Sequence, residues 1–509
     1  MLDICLLYPE KQQASRRRYG MSSDMIKDLN LSVILNAMAK GDETIYNTCQ
    51  QVLLTPVTTE PLLRYRQQMV NDAVNHFEFY TEIYRLASSA VSDFEKNKTK
   101  KGGSNTGQIY DTLQLILVLV GNLVKLKSLM QGKEAQQSDG MMKFAERLQH
   151  HYSDEFVEEL QQMAEHMSFL MRGGRLVMTA GISGGLKCGN VVINRLEPVD
   201  YRKLGTFRRM LRWLMLHLFS PNAILLTETS LRHDARLMEE NGFLYTLKIY
   251  QKFIQELETF FEELRTQTGF YVGCANLYRS LSHLHMRVSF PKVSGQKNHL
   301  QYQNLYELSL ALQTSKNPVS NDLIDDCRLH VVSGANQGGK STFLRSVGIA
   351  QVLMQAGMFV PATYYEGPLY DTILTHFTRR EDCSMNSGRL VEEMKRMNRI
   401  VDMVTDESLI LLNESFSSTT EKEGSQIAEN IIQAMYDSGV HIMMVTHLFE
   451  FASNMYGKKL PHARFLSAER KEDGTRTFKI IDHEPTETSY GLDLFEEIVL
   501  RKADSTPLI

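Results

Sequence analysis

One stretch of eight residues restricts the possible folds of this chain more than any other. Residues 334–341 read Gly-Ala-Asn-Gln-Gly-Gly-Lys-Ser, the pattern G-x-x-x-x-G-K-S of a phosphate-binding loop. The pattern is informative only between a strand and a helix. Here the apolar run Leu329–Val332 precedes it, and Leu344, Val347 and Ile349 follow in a helix-like run. The sequence therefore predicts a strand, a phosphate loop and a helix in succession.

The residue types of this loop suit the binding of a nucleotide such as ATP together with magnesium. Glycines allow backbone N–H groups to close around phosphates, and the following helix begins with a positive potential. Lys340 is predicted to reach the β- and γ-phosphates, and Ser341 to ligate Mg²⁺. The predicted nucleotide-binding residues of the loop are Gly334, Ala335, Asn336, Gln337, Gly338, Gly339, Lys340, Ser341 and Thr342.

Two later strand ends carry polar residues that complete a hydrolytic site. The apolar run Ser408–Leu412 ends in Asn413 and Glu414, and Glu414 is predicted to act as the general base on the attacking water. Asn413 stands where an aspartate is expected to hold the magnesium shell, so Ser341, Asn413 and Glu414 form the predicted metal site. The strand His441–Val445 leads to His447, predicted to contact the γ-phosphate or the water.

The chain divides by pattern into two parts. Before residue 313, apolar residues recur mostly at helical spacing, most clearly over 247–264 and 156–170. A β-branched, glycine-rich stretch over 175–196 predicts a small β-hairpin inside this helical part. Strands alternating with helices over 313–509 predict an α/β domain with a parallel sheet.

The polar segment Lys96–Gly107 is interpreted as an exposed loop. A loop that only contacts solvent is the simpler interpretation, and a loop that contacts phosphates is the alternative.

Composition excludes several classes of protein. Lysine and arginine total 56 against 60 aspartate and glutamate, so the net charge of -4 shows no global basic excess. The six cysteines stand singly, which argues against zinc sites and disulfides and favours a reducing compartment. The N-terminus does not read as a signal peptide, and the longest apolar run, Leu115–Val120, is short for a membrane span. A cytoplasmic protein without a membrane partner is expected.

The motifs together resemble the ATPase domain of the MutS mismatch-repair family. The resemblance rests on the phosphate loop, on Glu392-Glu393-Met394, on the segment Leu411–Gly424 and on Val445–Leu448. It continues weakly through residues of the helical part and the C-terminus, namely Arg64–Gln67, Phe270–Gly273, Phe290-Pro291 and Ser489–Gly491. The implied fold is an α-helical core and lever domain, residues 1–312, followed by an α/β ATPase domain of ABC type, residues 313–509.

The resemblance also implies a mechanism and partners. Family members of this type act as dimers in which each ATP is closed by a signature loop of the other subunit, so that ATP switches helical levers on DNA. In this sequence the signature loop corresponds to 386–390, with Ser387 and Gly388 facing the γ-phosphate in trans. Asn321 corresponds to a position near the nucleotide. A homodimer, DNA and downstream repair proteins are the implied partners.

Three departures from the family pattern shape the hypothesis. Gly388-Arg389-Leu390 replaces a pair of small residues followed by phenylalanine, and Asn413 replaces an aspartate, which predicts slower hydrolysis or stronger switch-like behaviour. The lever-like helices begin within about the first 30 residues, so a short form without the mismatch-reading domain is expected. DNA binding is then predicted for branched or distorted duplexes.

Two other classes of function compete with this interpretation. A nucleotide-gated scaffold whose helical arms grip a protein partner, with little hydrolysis, is favoured by Asn413. The motor subunit of a transporter is disfavoured because its signature sequence does not occur between the phosphate loop and the acidic strand, and because the helical N-terminal part is long.

Overall fold

The computed structural model describes residues 2, 4–9, 19–98, 105–132, 138–171, 175–183, 187–197, 230–334, 337–378, 388–471 and 475–486. For 97–98, 105–110, 163–164, 166–171, 175–183, 187–197 and 230–250 this description covers the backbone only. The chain forms two compact units. The first comprises Met1–Ile4 and Glu82–Arg265, and the second comprises Cys5–Thr81 and Thr266–Ile509.

The described helices and strands alternate irregularly along the chain. The helices are α1 Ser22–Asp28, α2 Leu31–Ala39, α3 Glu43–Leu53, α4 Glu60–Asn75, α5 Phe77–Lys98, α6 Asn105–Met130, α7 Asp139–His151, α8 Asp154–Met171, α9 Ser230–His283, α10 Leu308–Thr314, α11 Lys340–Gln355, α12 Arg389–Met403, α13 Glu421–Asp437 and α14 Phe449–Gly457. The strands are β1 Arg175–Ser183, β2 Lys187–Glu197, β3 Lys292–Val293, β4 Leu300–Leu305, β5 Asn321–Asp325, β6 Leu329–Ser333, β7 Tyr364–Gly367, β8 Thr372–Phe377, β9 Ser408–Asn413, β10 His441–Val445, β11 Ala463–Arg470 and β12 Arg476–Asp482.

The first unit is mainly helical, as its apolar spacing predicts. Its described core includes the stripe of α9 formed by Leu257, Phe261 and Leu264, all fully buried. Phe260 of the same helix packs edge-on against Tyr152, with ring centroids 5.8 Å apart. The predicted hairpin is confirmed, since β1 and β2 pair antiparallel from Arg175 opposite Glu197 to Ser183 opposite Lys187.

One sequence-based expectation for the first unit is wrong in detail. Both ends of the predicted loop Lys96–Gly107 are helical, because α5 continues to Lys98 and α6 begins at Asn105, and the residues between these helices lie outside the described parts of the chain. Glutamate and lysine at the end of α5 are good helix formers, so polarity alone does not end the helix.

Helix α6 contains the most apolar long segment among the described residues. Its part Asp111–Met130 is long and apolar enough to span a membrane by composition, and 56% of its apolar window is buried in the protein. Burial of that extent is typical of a core helix.

The second unit is built on a six-stranded sheet of order β12-β11-β6-β10-β9-β8. Neighbouring strands from β11 to β8 run parallel, and β12 pairs antiparallel with β11 at the edge. The central strands β6 and β10 are buried along their whole length, as expected of a parallel sheet covered on both faces. The predicted strands at 329–332, 409–412 and 442–445 are confirmed, and so is the α/β architecture.

One apolar cluster fixes the helices to a face of this sheet. It joins side chains of β6, β8, β9 and β10 to α12, α13 and α14, including Met397 and Ile400 of α12, and Ile432 of α13. Close packing of this kind positions the ends of α12 and α13 relative to the strand ends.

A second sheet and the N-terminal helices belong to the same unit. The four-stranded sheet has the order β3-β7-β4-β5, with mixed strand directions that the sequence did not predict. Helix α1 contacts β8, because the hydroxyl of Thr375 donates to Asp28 at 2.8 Å. Arg345 of α11 donates to the backbone oxygen of Asp28 at 2.9 Å. Residues near the chain start therefore pack against the α/β core.

Candidate nucleotide-binding site

The predicted phosphate loop forms a tight turn between β6 and α11. Gly334 and Gly339 have φ angles of 101° and 91°, in the left-handed region that favours glycine. A side chain at Gly334 would also place its Cβ 2.5 Å from Oγ of Ser467 on β11. Both positions therefore require glycine. Gly339 is the N-cap of α11, so the partly positive helix end faces the loop.

Lys340 is the first residue of α11 and is almost completely buried, with 4% of its surface exposed. Its ammonium group donates a 2.5 Å hydrogen bond to the backbone oxygen of Gly334 across the loop. Burial lowers the pKa of Lys340, and the negative charge of Glu414 opposes that shift. A buried cation beside a helix N-terminus is suited to binding an anionic phosphate group.

Strand β12 covers the outer side of the loop. Arg476 donates a 2.8 Å hydrogen bond to the side chain of Gln337, which is itself exposed. Phe478 lies against Gly339, since a Cβ added there would be 3.4 Å from its ring. The residue Phe478 is 45% exposed, and its φ of 59° is unusual for a bulky residue. Sequence patterns gave no signal for these two contacts.

The predicted site residues follow the carboxyl ends of adjacent parallel strands. Val332 of β6 lies opposite Val445 of β10, which lies opposite Asn413 of β9. Asn413 in turn lies opposite Phe377 of β8. The phosphate loop, His447 and Glu414 therefore emerge at one edge of the sheet. This is the edge at which open α/β sheets bind ligands.

The turn that carries Glu414 has an uncommon backbone conformation. Glu414 and Phe416 have φ angles of 54° and 67°, and neither is glycine. The left-handed conformation costs roughly 1–2 kcal/mol per such residue. Two of these residues in one short turn require surrounding contacts that hold them, and strained backbone of this kind is concentrated at functional sites.

Hydrogen bonds from neighbouring strands hold this turn. The N–H of Glu414 donates to the backbone oxygen of Val445 at 2.8 Å, and the hydroxyl of Thr378 donates to that of Glu414 at 2.6 Å. Ser415 is fully buried, and its hydroxyl lies 2.7 Å from Nδ1 of His376. Burial lowers the pKa of His376 to about 4, and the charge of Arg396 acts in the same direction. His376 is therefore neutral near pH 7.

Helix α12 supplies a further contact that the sequence did not predict. Oε1 of Glu393 accepts a 2.5 Å hydrogen bond from the N–H of Phe416. Arg396, one turn later, donates to the backbone oxygen of Phe377 at 3.0 Å. The sequence marks Glu393 only as part of the run Glu392-Glu393-Met394 and indicates no role for it.

Asn413 supports a fit of the site to magnesium. Its side-chain oxygen Oδ1 is buried and has no hydrogen-bond partner among the described residues. Buried polar atoms are rarely left unpaired, and a neutral amide oxygen is an acceptable neighbour for a hydrated magnesium ion. Ser341 is half-buried in the first turn of α11. Ser341 and Asn413, together with Lys340 and Glu414, have the chemistry needed to bind a nucleotide and its magnesium ion.

The remaining predicted residues lie in different surroundings. His447 is exposed just after β10, and Thr342 is half-buried on α11. Asn321 is buried at the start of β5, and its side-chain oxygen accepts a 2.8 Å hydrogen bond from the N–H of Ile480. Gly388 is the N-cap of α12. Predicted residues outside the described parts of the chain are Ala335, Asn336, Ser387 and the Ser489–Gly491 turn.

A glycine-rich loop with a buried lysine, next to an acidic turn at the neighbouring strand ends, defines a nucleotide-binding α/β protein. Comparison with protein families specifies the class further. The family model described as MutS domain V matches residues 330–503, and the model described as MutS2 N-terminal domain matches residues 58–284. Together the two models match most of the chain. The chain belongs to the MutS family.

Individual relatives carry the name of the same family. The DNA mismatch repair protein MutS of Thermus thermophilus is 32% identical over 186 residues, which is 36% of this chain and 22% of the relative. The protein of the same name from Thermotoga neapolitana is 32% identical over 180 residues, covering 34% and 22%. That from Streptococcus suis is 30% identical over 195 residues, covering 37% and 23%. The matched segment spans less than a quarter of each relative.

Proposed function

We propose that this chain binds ATP with magnesium and hydrolyses it, and that the nucleotide state switches the grip of helical levers on DNA. The observation that carries the proposal is the convergence of Lys340, Asn413 and Glu414 at the carboxyl edge of one sheet. Membership of the MutS family and the names of the relatives support DNA as the partner. DNA repair or recombination is the process served.

Each residue has a distinct role in the proposed reaction. Backbone N–H groups of 334–342 and the Lys340 ammonium group hold the phosphates, and Ser341 and Asn413 hold the metal shell. Bound magnesium supplies positive charge that stabilises the phosphate oxygens. Glu414 accepts a proton from the attacking water, and His447 senses the γ-phosphate. The left-handed turn fixes the position of the Glu414 backbone. Its carboxylate is thereby placed before the reaction begins, which lowers the entropic part of the barrier.

The proposal includes assembly and location. The ATPase part, 313–509, is of ABC type and acts in a homodimer, with Ser387 and Gly388 of one subunit completing the site of the other. The helical part, 1–312, supplies the core and levers. Branched or distorted duplexes are the preferred DNA, and downstream repair proteins respond to the ATP-bound form. The location is cytoplasmic.

The proposal is tested by fluorescence anisotropy of labelled homoduplex, mismatched and four-way-junction DNA. Each is titrated with the Glu414→Gln protein, with and without ATP and magnesium, over a salt series, because phosphate contacts weaken as salt rises. Binding that depends on ATP is expected, with the junction or mismatch preferred. The Glu450→Gln variant, which changes an exposed glutamate, is the matched control and is expected to retain wild-type hydrolysis.

A second function is favoured by one observation. Asn413 removes a negative charge from the expected metal shell, which suits a nucleotide-gated scaffold that grips a protein partner and hydrolyses little. ATP binding without affinity for any of the three DNAs at low salt would contradict the DNA switch and favour this scaffold.

A further inference from the structure

Glu393 is a buried acidic residue that the proposed reaction does not use. It lies on α12 with 7% of its surface exposed. Its Oε1 accepts the N–H of Phe416 at 2.5 Å, while its other oxygen, Oε2, is buried with no hydrogen-bond partner among the described residues. An acidic group is rarely buried unless it is bonded, so this placement requires an explanation.

The partner of Glu393 belongs to the turn that carries the candidate general base. Phe416 and Glu414 both adopt left-handed backbone conformations. The contacts of Glu414 with Val445 and Thr378, and of Ser415 with His376, come from the strand ends on either side. The contact with Glu393 comes from a helix outside the sheet, and it holds the far end of the turn.

Helix α12 is itself held rigidly where Glu393 lies. Arg396 donates to the backbone oxygen of Phe377 at 3.0 Å and lies 3.7 Å from Asp24 and from Asp28 on α1. Met397 and Ile400 of the same helix are buried in the apolar cluster under the sheet. The Glu393 carboxyl group is therefore a fixed acceptor and not a mobile surface group.

We propose that Glu393 is a positioning residue for Glu414. By binding the N–H of Phe416 it keeps the turn left-handed, so that the Glu414 carboxylate leaves the sheet edge in the direction that proton abstraction requires. This role rests on the proposed hydrolysis of ATP. Glu393 acts through the turn of Glu414 and does not itself contact the nucleotide.

The test compares Glu393→Ala and Glu393→Gln with Glu392→Ala, a matched control on the same helix whose side chain is 36% exposed. Glu393→Ala is expected to lower kcat about 10- to 100-fold, the size of effect that misplacing a catalytic group by about 1 Å produces. Affinity for a non-hydrolysable ATP analogue is expected to change little. Glu393→Gln recovers most of the rate, because its amide oxygen still accepts the hydrogen bond.

A double variant separates positioning from general destabilisation. In a Glu414→Gln background, Glu393→Ala is expected to cause little further loss, because the group it positions is already removed. A second loss of the same factor would overturn the proposal, and so would a kcat of Glu393→Ala equal to that of Glu392→Ala. If Glu393→Ala does not fold, Glu393→Asp, which keeps the charge but is shorter, is expected to lower kcat with unchanged affinity, and an unchanged kcat would overturn the proposal.

The failure of the proposed function gives a different result. A wild-type protein that binds the analogue but does not hydrolyse ATP would refute hydrolysis and, with it, this role of Glu393. Normal wild-type hydrolysis with unaffected Glu393 variants would refute the positioning role alone.

Discussion

The negative charge of Glu414 acts on the buried ammonium group of Lys340, opposing the lowering of the lysine pKa that burial causes. The two residues are 74 positions apart in sequence, one at the start of α11 and the other just after β9. The residue proposed to bind phosphate, Lys340, and the proposed general base, Glu414, therefore influence each other electrostatically. A phosphate group bound by Lys340 would add negative charge beside its ammonium group and would favour the protonated form.

Replacement of Lys340 by alanine is expected to weaken ATP binding roughly 10- to 100-fold, the range for losing a hydrogen bond between charged groups. The measurement is a fluorescence titration with a labelled ATP analogue, with circular dichroism to verify folding. Lys422→Ala, which changes an exposed lysine in the first turn of α13, serves as the control. Equal affinities of the two variants would rule out a role for Lys340 in phosphate binding.

Asn413→Asp is expected to raise the steady-state rate of ATP hydrolysis and to lower the magnesium concentration needed for half-maximal rate. The added charge would strengthen the metal shell at a position where the present oxygen, Oδ1, has no partner among the described residues. A gain of about tenfold corresponds to about 1.4 kcal/mol of transition-state stabilisation. No gain in rate would show that Asn413 does not limit hydrolysis.

Gly424→Ala is expected to disturb the turn that carries Glu414, because the added methyl group would press against Phe416 in that turn. A Cβ at Gly424 would lie 2.4 Å from the backbone oxygen of Phe416, and a backbone atom cannot yield as a flexible side chain can. We expect a loss of about 1–3 kcal/mol in the free energy of unfolding and a lower kcat. Urea denaturation and ATPase assays measure both quantities.

The control for this substitution is Gly457→Ala at the end of α14, where an added Cβ has no neighbour within 4 Å. Alanine there is expected to be neutral or to stabilise the helix by up to about 1 kcal/mol. Similar behaviour of the two variants would show that the Phe416 contact relaxes without consequence.

The stability of the fold is expected to decrease as the pH falls below about 6.5. Burial lowers the pKa of His376 and of His441 to about 4 in the folded protein, against an ordinary value near 6.5. Between these values the unfolded chain binds more protons than the folded one. The free energy of unfolding therefore decreases as the pH decreases. Each histidine contributes about 3 kcal/mol over the full interval, since one pKa unit corresponds to about 1.4 kcal/mol.

Urea denaturation at pH 7.5, 6.5, 5.5 and 5.0 measures this dependence, in a range above the ordinary pKa of carboxylic acids. The His376→Asn variant is expected to show a flatter profile than the wild type. An identical slope for both proteins would mean that His376 does not remain neutral in the folded state.

Local sequence patterns were sufficient for the elements of the candidate site. Glycine spacing and a lysine between an apolar run and a helical run predicted the phosphate loop, because a strand–loop–helix unit is encoded within about 25 residues. Alternation of short strands and helices predicted the α/β sheet, and the polar residues after each strand predicted its functional edge. The same patterns failed at the ends of the segment Lys96–Gly107, because α5 continues to Lys98 and α6 begins at Asn105.

The contacts that organise the site depend on the tertiary structure. The hydrogen bond from Phe416 to Glu393 crosses 23 residues, that of Ser415 with His376 crosses 39, and that of Thr375 with Asp28 crosses 347. The left-handed backbone at Glu414 is unfavourable locally and persists only because such contacts hold it. Sequence alone determined which residues meet at the sheet edge. The folded chain decided how Glu414 is held there, because a strained turn takes its stability from groups distant in sequence.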